Sequence, residues 1–304
     1  MASSSAMESL SNEFSSLTER VGKSVVAVHA QHRKFTSGIQ WRKGVIVTAD
    51  HGIRHEESVT VVVEPGVSVS AKVAGRDSST DIAVLRVLES SLPVAEFSKA
   101  SAMKLGQFVI ALGRSVRGNL VASAGIIGGL SGEWRSWQGG TLDQHIRLDL
   151  ELYPGFSGGP LVGAGGEILG INSRALARGR GVTIPASTVN RVVSELLEKG
   201  HIVKPYLGLA MQPVEIPDSL QGALKSKTGT GLLVVHVEPG APGDQAGILL
   251  GDVLAHIDDH PLADMDNLQT LIASAKVGDK RTISLLRGGS AKQVTVTLVD
   301  RPGK

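Results

Sequence analysis

The sequence predicts a mainly β chain in two parts, packed or closed antiparallel sheets followed by a small α+β domain. Three observations carry this. At 304 residues the chain is too long for one ordinary domain and comfortable for two. From Ser24 to about Thr183 it runs through ten short β-rich segments separated by Gly, Ser and Asp, with no long helical stretch among them. Beyond Pro205 a second, smaller set of strand signals surrounds one helical stretch. A doubly wound parallel sheet would need helices between the strands of the first part.

At the amino terminus Leu10, Phe14, Leu17 and Val21 recur at helical spacing, and Ser5 with Glu8 has the form of a capping box. This is a short amphipathic helix, folded on its own domain or contacting another subunit. The β-rich runs follow: SVVAVHA, GVIVTA, VTVVVE, AKVAG, DIAVLRVL, FVIALG, VASAGII, HIRLDLEL, GEILGINS and GVTIPA. After Pro185 a helix places Val189, Val192, Val193, Leu196 and Leu197 on one face, and Gly200 stops it. The linker is HIVKP, within 200–205. Then come YLGLAM, GLLVVHVE, DVLAHID, RTISLLRGG and QVTVTLV, with a helix around Asn267 to Ala275 that aligns Leu268, Leu271, Ile272 and Ala275. The expected divisions are 1–22, 23–200 and 201–304.

Composition narrows the chemistry. With 31 basic and 29 acidic residues and no block of like charge, no nucleic-acid partner is expected. The absence of cysteine excludes disulfides, thiol nucleophiles and thiolate metal sites. His55, His145, His201, His236, His256 and His260 lack metal-ligand spacing with carboxylates, so neither a metal nor a cofactor is expected. The longest apolar runs, such as Val59 to Val63, have strand length and predict no transmembrane segment. The start, MASSSAMESLSNEF, does not read as a signal peptide, so the expectation is either a chain that is cytoplasmic as written or one whose leader has been removed and a new start added.

The strongest local signal is Pro154-Gly155-Phe156-Ser157-Gly158-Gly159-Pro160-Leu161, a serine inside a glycine-rich turn. Such a turn can aim the N–H groups of Gly155 and Ser157 at one point, where they stabilise a tetrahedral oxyanion. Gly158 and Gly159 are expected to let a substrate backbone approach. A serine hydroxyl also needs an imidazole to take its proton and a carboxylate to orient that imidazole. His51, after the strand-like GVIVTAD, and Asp81, at the head of DIAVLRVL, both lie at strand rims. Asp149 lies near the serine turn and is a candidate support for it. The turn also satisfies the G-x-S-x-G pattern of α/β-hydrolases, but there the acid and histidine follow the serine. Here the order is His, Asp, Ser, and the residues after Ser157 read as strand, turn and strand.

TADH at 48 to 51, TDIAVLRV at 80 to 87 and GFSGGPLV at 155 to 162 resemble, in order and approximate spacing, the protease domain of the HtrA/Deg family. The resemblance spans about Ser24 to Gly200 and implies a trypsin-like double antiparallel β-barrel. It further implies Ser157 as nucleophile, His51 as general base and then acid, Asp81 as the orienting carboxylate, and the Gly155 and Ser157 N–H groups as oxyanion donors. Three departures stand out. Phe156 replaces the family's usual Asn, Ala49-Asp50 replaces Asn-Asn, and Gly52-Ile53 replaces valines. Phe156 is expected to block or reshape the substrate cleft.

From about Lys204 to Arg301 the chain resembles the PDZ domain appended to these proteases, through Tyr206-Leu207-Gly208-Leu209 and PGAPGDQAGILLGDVL at 239 to 254. That implies peptide addition to a sheet edge, the Tyr206–Leu209 loop receiving a terminal carboxylate beside the helix bearing Leu268 and Ile272. The implied activity is endoproteolysis of unfolded or misfolded polypeptides, with PDZ binding of substrate or regulatory carboxy-terminal peptides, a trimer or larger homo-oligomer, and an extracytoplasmic compartment such as the periplasm. The alternative is a weakly active or inactive protease-fold scaffold with chaperone-like peptide binding. Primary specificity depends on loops near Gly155 and on SRALARGRG at 173 to 181, with Arg174, Arg178 and Arg180; the family expectation is an aliphatic residue.

Overall fold

The computed structural model describes residues 5–30, 35–88, 92–96, 103–177, 180–203, 205–224, 229–273 and 275–300. Arg178, Lys204 and Arg301 therefore lie outside the described residues. The chain divides into two compact units, Met1–Ile202 and Val203–Lys304.

The first unit begins with α1 (Ala6–Gly22), whose N-cap Ser5 accepts a hydrogen bond from Glu8 N–H at 3.2 Å. Six antiparallel strands follow: β1 (Val25–His29), β2 (Phe35–Arg42), β3 (Val45–Ala49), β4 (Ser58–Glu64), β5 (Val67–Asp77) and β6 (Ile82–Arg86). They close into a barrel in the order β1-β2-β3-β6-β5-β4. A second barrel takes β7 (Phe108–Arg114), β8 (Leu120–Ser131), β11 (His145–Asp149), β12 (Pro160–Gly163), β13 (Ile168–Ala177) and β14 (Arg180–Pro185), in the order β11-β14-β13-β12-β7-β8. A small hairpin of β9 (Trp134–Arg135) and β10 (Thr141–Leu142) projects between β8 and β11. The unit ends with α2 (Ala186–Lys199), closed by Gly200 at φ 79°.

Continuous apolar runs become strands here because both faces are covered. In β6, Ala83 and Leu85 fill the first barrel while Ile82 and Val84 join a core shared between the barrels and both helices. β7 repeats the arrangement, with Val109 and Ala111 inside the second barrel and Ile110 and Leu112 in the shared core. The period of two along a strand thus alternates between two cores rather than between core and water. β4, which has no such cover, alternates in the ordinary way, with Val59 and Val61 buried and Ser58 and Thr60 exposed. Leu17 and Val21 of α1 enter the shared core, and Phe14 stacks on Phe108 with ring centroids 4.6 Å apart. The carboxy-terminal half of α1 therefore folds back on its own domain, whereas Met7 and Leu10 remain exposed.

A buried guanidinium fastens the junction of α1 and β1. Arg114 donates from Nε to Val25 O at 2.6 Å, from Nη1 to Gly118 O at 2.6 Å and from Nη2 to Gly22 O at 3.1 Å. Burial lowers its pKa from the ordinary arginine value.

The second unit comprises β15 (Pro205–Tyr206), β16 (Leu209–Glu215), α3 (Asp218–Leu224), β17 (Thr230–Val237), α4 (Pro242–Gln245), β18 (Val253–Ile257), β19 (His260–Pro261), α5 (Met265–Ala273), β20 (Lys280–Arg287), β21 (Ser290–Thr297) and β22 (Val299–Asp300). Its sheet runs β16-β17-β18-β20-β21, leaving β16 at an edge, and β15 pairs with β22. The run YLGLAM is split because Gly208 sits at φ 72° between two short strands. Buried Asp252 is clamped by Arg287, from Nε at 2.8 Å and Nη2 at 2.6 Å, which raises the guanidinium's pKa above its ordinary value. Among the described residues, no helix is long and apolar enough to cross a membrane.

Candidate active site

His51 and Asp81 are supplied by two adjacent turns of the first barrel. His51 sits in a single 3-10 turn, Asp50–Gly52, at the end of β3. Asp81 precedes β6 in the left-handed region, at φ 57°. That uncommon conformation is held by Asp77, which accepts hydrogen bonds from Ser79 N–H at 3.1 Å, Ser79 Oγ at 2.6 Å and Thr80 Oγ1 at 2.7 Å. The turns are then joined directly. Asp50 N–H donates to Asp81 O at 3.2 Å and His51 N–H donates to Asp81 Oδ1 at 2.9 Å.

The imidazole Nδ1 lies 2.9 Å from Asp81 Oδ1 and 2.8 Å from Oδ2. A proton on Nδ1 serves this contact and leaves Nε2 as the basic nitrogen. Asp81 is buried at 2% exposure, and its Oδ2 also accepts from Ser173 Oγ at 2.5 Å. A charged carboxylate out of water needs such donors.

Ser157 stands in the turn before β12, on the second barrel, yet the first barrel grips that turn from both sides. Ser37 N–H donates to Ser157 O at 2.9 Å, and Thr36 Oγ1 donates to the same carbonyl. Ser37 Oγ donates to Gly155 O at 2.6 Å while accepting from Arg114 N–H at 2.7 Å. Gly155 adopts φ 93°. Among the described residues, neither Gly155 N–H nor Ser157 N–H donates a hydrogen bond, although Phe156 N–H, Gly158 N–H and Gly159 N–H all do. Two unspent donors flanking a serine can serve a developing oxyanion. Ser157 Oγ accepts from Arg174 N–H at 3.2 Å, and among the described residues no hydrogen bond joins it to His51. Catalytic hydrogen bonds often tighten only when substrate is bound.

Three expectations change. Phe156 does not enter the cleft: at 1% exposure it lies inside the second barrel with Val109, Ile127, Leu161 and Leu169, and its ring meets Tyr153 at 5.9 Å. Gly158 and Gly159 make room for the protein's own backbone rather than for substrate. A Cβ would lie 2.1 Å from Ser37 O at Gly158 and 2.1 Å from Leu112 O at Gly159. Asp149 is exposed on β11, and among the described residues its carboxylate makes no hydrogen bond to the serine turn. That support comes from Thr36 and Ser37 of β2, whose run FTSGIQWR carries no strand pattern in the sequence.

Asp50, next to His51, carries no sequence signal of a functional group, yet its surroundings are unusual. It is fully buried, its Oδ2 accepts from Ser78 Oγ at 2.6 Å, and Arg54 Nε lies 3.7 Å away. Among the described residues its buried Oδ1 has no hydrogen-bond partner. Burial first, and Asp81 as a like charge, push its pKa above the ordinary carboxylate value, against the Ser78 hydrogen bond.

In the second unit, Tyr206, Leu207, Gly208 and Leu209 form the passage from β15 to β16, and α5 packs beside both strands. Leu207 and Leu268 are buried in the core, with Leu209 and Ile272 partly buried at its margin. The open edge of β16 thus runs next to the helix carrying Ile272.

Two closed barrels with a His-Asp pair on one and a glycine-bound serine on the other define a trypsin-like protease domain, here followed by a PDZ domain. Residues 36–171 match the family described as trypsin-like peptidase domain, and residues 205–298 match the PDZ domain. The chain is 34% identical over 270 residues to the serine protease Do-like HtrA of Lactobacillus helveticus, covering 84% of this chain and 65% of that protein. It is 32% identical over 266 residues to the putative serine protease HhoA of Synechocystis sp., covering 83% and 67%. A crystal structure of the serine endoprotease from Yersinia pestis superimposes with a TM-score of 0.72 at 25% identity, covering 99% of this chain and 100% of that one. The chain belongs to the HtrA family of serine proteases, with one PDZ domain. It spans 52% to 67% of the length of eight such curated relatives.

Proposed function

We propose that the protein is a serine endopeptidase that hydrolyses peptide bonds of unfolded or misfolded polypeptides. The observation that carries this is the buried Asp81 carboxylate bound to His51 Nδ1 at 2.8 Å, opposite a serine turn with two unspent N–H donors. Ser157 attacks the scissile carbonyl as His51 Nε2 takes its proton. The Gly155 and Ser157 N–H groups receive the oxyanion, and the imidazolium, held by Asp81, then protonates the leaving amine. Water repeats the sequence to release the acyl group. The PDZ domain binds a substrate or regulatory carboxy-terminal peptide along β16. Copies associate through the exposed amino-terminal turns of α1, where Met7 and Leu10 face outward.

A second reading, a scaffold that binds polypeptides and hydrolyses little, draws on the Ser157 Oγ contact with Arg174 N–H, with no hydrogen bond to His51 among the described residues. One experiment separates the two: digestion of a reduced, unfolded protein by the parent and by Ser157→Ala, each confirmed folded, with fragments followed by mass spectrometry. Cleavage by the parent alone supports the peptidase. Cleavage by neither, across pH and with added carboxy-terminal peptides, supports the scaffold. For the oligomer, removal of residues 1–13 is expected to lower the mass measured by light scattering, and an unchanged mass would discard the α1 contact.

A further inference from the structure

Of the chain's three tryptophans, Trp41 is buried and Trp134 half-buried, while Trp137 leaves 61% of its surface exposed. It is nevertheless fixed in place. The loop between β9 and β10 that carries it is tied to the turn presenting Asp81, because Ser136 Oγ donates to Ser79 O at 2.6 Å and accepts from Gly140 N–H at 3.1 Å. On the other side, Trp137 Nε1 donates to the carbonyl of Ala175 at 2.8 Å. An indole held at its polar tip with an uncovered apolar face is a ready binding wall.

Ala175 gives that wall its direction. On the β12 side of β13 the ladder ends at Asn172, whose N–H donates to Gly159 O at 2.8 Å. From Ser173 to Ala177 that edge is unpaired among the described residues, and it starts at the nucleophile, where Arg174 N–H reaches Ser157 Oγ at 3.2 Å. An extended peptide with its scissile carbonyl at Ser157 can add to this edge and would run past Ala175, whose carbonyl holds the indole in place.

We infer that Trp137 lines the substrate groove on the amino-terminal side of the scissile bond and selects an apolar or aromatic side chain about three or four residues before it, given roughly 3.3 Å per extended residue. The inference rests on the endopeptidase reading.

Two blocked peptides that share the residue at the scissile bond and differ by Leu or Gly at those positions provide the test. The parent should favour the Leu peptide by about tenfold in kcat/KM, the yield of covering one large apolar side chain. W137A should bring that ratio close to one, and W137F should keep most of it. An unchanged ratio in W137A, or equal losses on both peptides, would overturn the assignment. In the Ser157→Ala variant the Leu peptide should shift tryptophan emission to the blue, and the shift should vanish when W137F is added. Binding without a shift also overturns the assignment. A shift in Ser157→Ala beside a parent that cleaves nothing would leave the groove standing and remove the peptidase reading.

Discussion

Ser37 Oγ donates to the carbonyl of Gly155 at 2.6 Å, so a strand of the first barrel sets the peptide geometry beside Ser157 of the second. Ser37→Ala removes this donor and also the acceptor for Arg114 N–H. The expected result is a fall in kcat of about tenfold with little change in KM, and a loss of stability of roughly 1–3 kcal/mol. Ser37→Thr should restore most of the rate if its hydroxyl reaches the same carbonyl. Steady-state kinetics beside a thermal melt checks both; a rise in KM with kcat intact would mean that Ser37 acts on substrate binding instead.

Asp50 makes a pH-dependent contribution whose sign follows from its burial. Its pKa is raised in the folded protein above the ordinary 3.8, so the protonated form is the one the fold favours. The stability from this group is complete below the unfolded value and is lost as pH rises through the folded value. Asp50→Asn keeps an acceptor for Ser78 without the charge. It should therefore raise the melting temperature at neutral pH, with the gain shrinking toward pH 4. A lower melting temperature for the variant at pH 7 would show that the positive charges of Arg54 and Arg76, both of which act on Asp50, more than compensate the carboxylate.

Phe156 is a core residue that happens to adjoin Ser157. Phe156→Ala should cost about 3–5 kcal/mol in urea denaturation, the range for deleting a buried aromatic ring. Phe156→Asn, the usual family residue, should also destabilise, because its amide would enter a pocket lined by Ile127, Leu161 and Leu169. If Phe156→Asn instead raised both stability and kcat, the apolar pocket would not be what positions the turn.

Peptide binding to the second unit can be tested in the full chain. A peptide ending in an apolar residue with a free carboxylate should bind with a dissociation constant measurable by calorimetry. Ile272→Lys, beside the open edge of β16, should weaken it by at least about tenfold, as should amidating the peptide's terminus. Affinity unaffected by either change places the ligand away from this groove.

The sequence makes the strands legible where the apolar pattern is dense. DIAVLRVL contains β6 because any such run must bury both faces. It does not reveal that Ile82 and Val84 face the other barrel, since that depends on contacts far apart in the chain. His51, Asp81 and Ser157, the proposed triad, stand out in the sequence because acyl transfer restricts the residue types. Ser37, Thr36 and Ser173 do not, for a hydroxyl in a strand gives no sign of which carbonyl or carboxylate it will meet. The misreading of Phe156 has the same origin: neighbours along a turn point in opposite directions, so adjacency to Ser157 says nothing of the cleft.

The close approaches at Gly158 and Gly159 also bear on how this site can drift. Every single-base change in a glycine codon that alters the residue adds a Cβ, and here that atom would strike the carbonyl of Ser37 or of Leu112 at 2.1 Å. Random mutation therefore has almost no viable step at these two positions. Diversification of the turn is channelled to its flanks, where a side chain such as that of Phe156 can be exchanged and a barrel interior repacked around it.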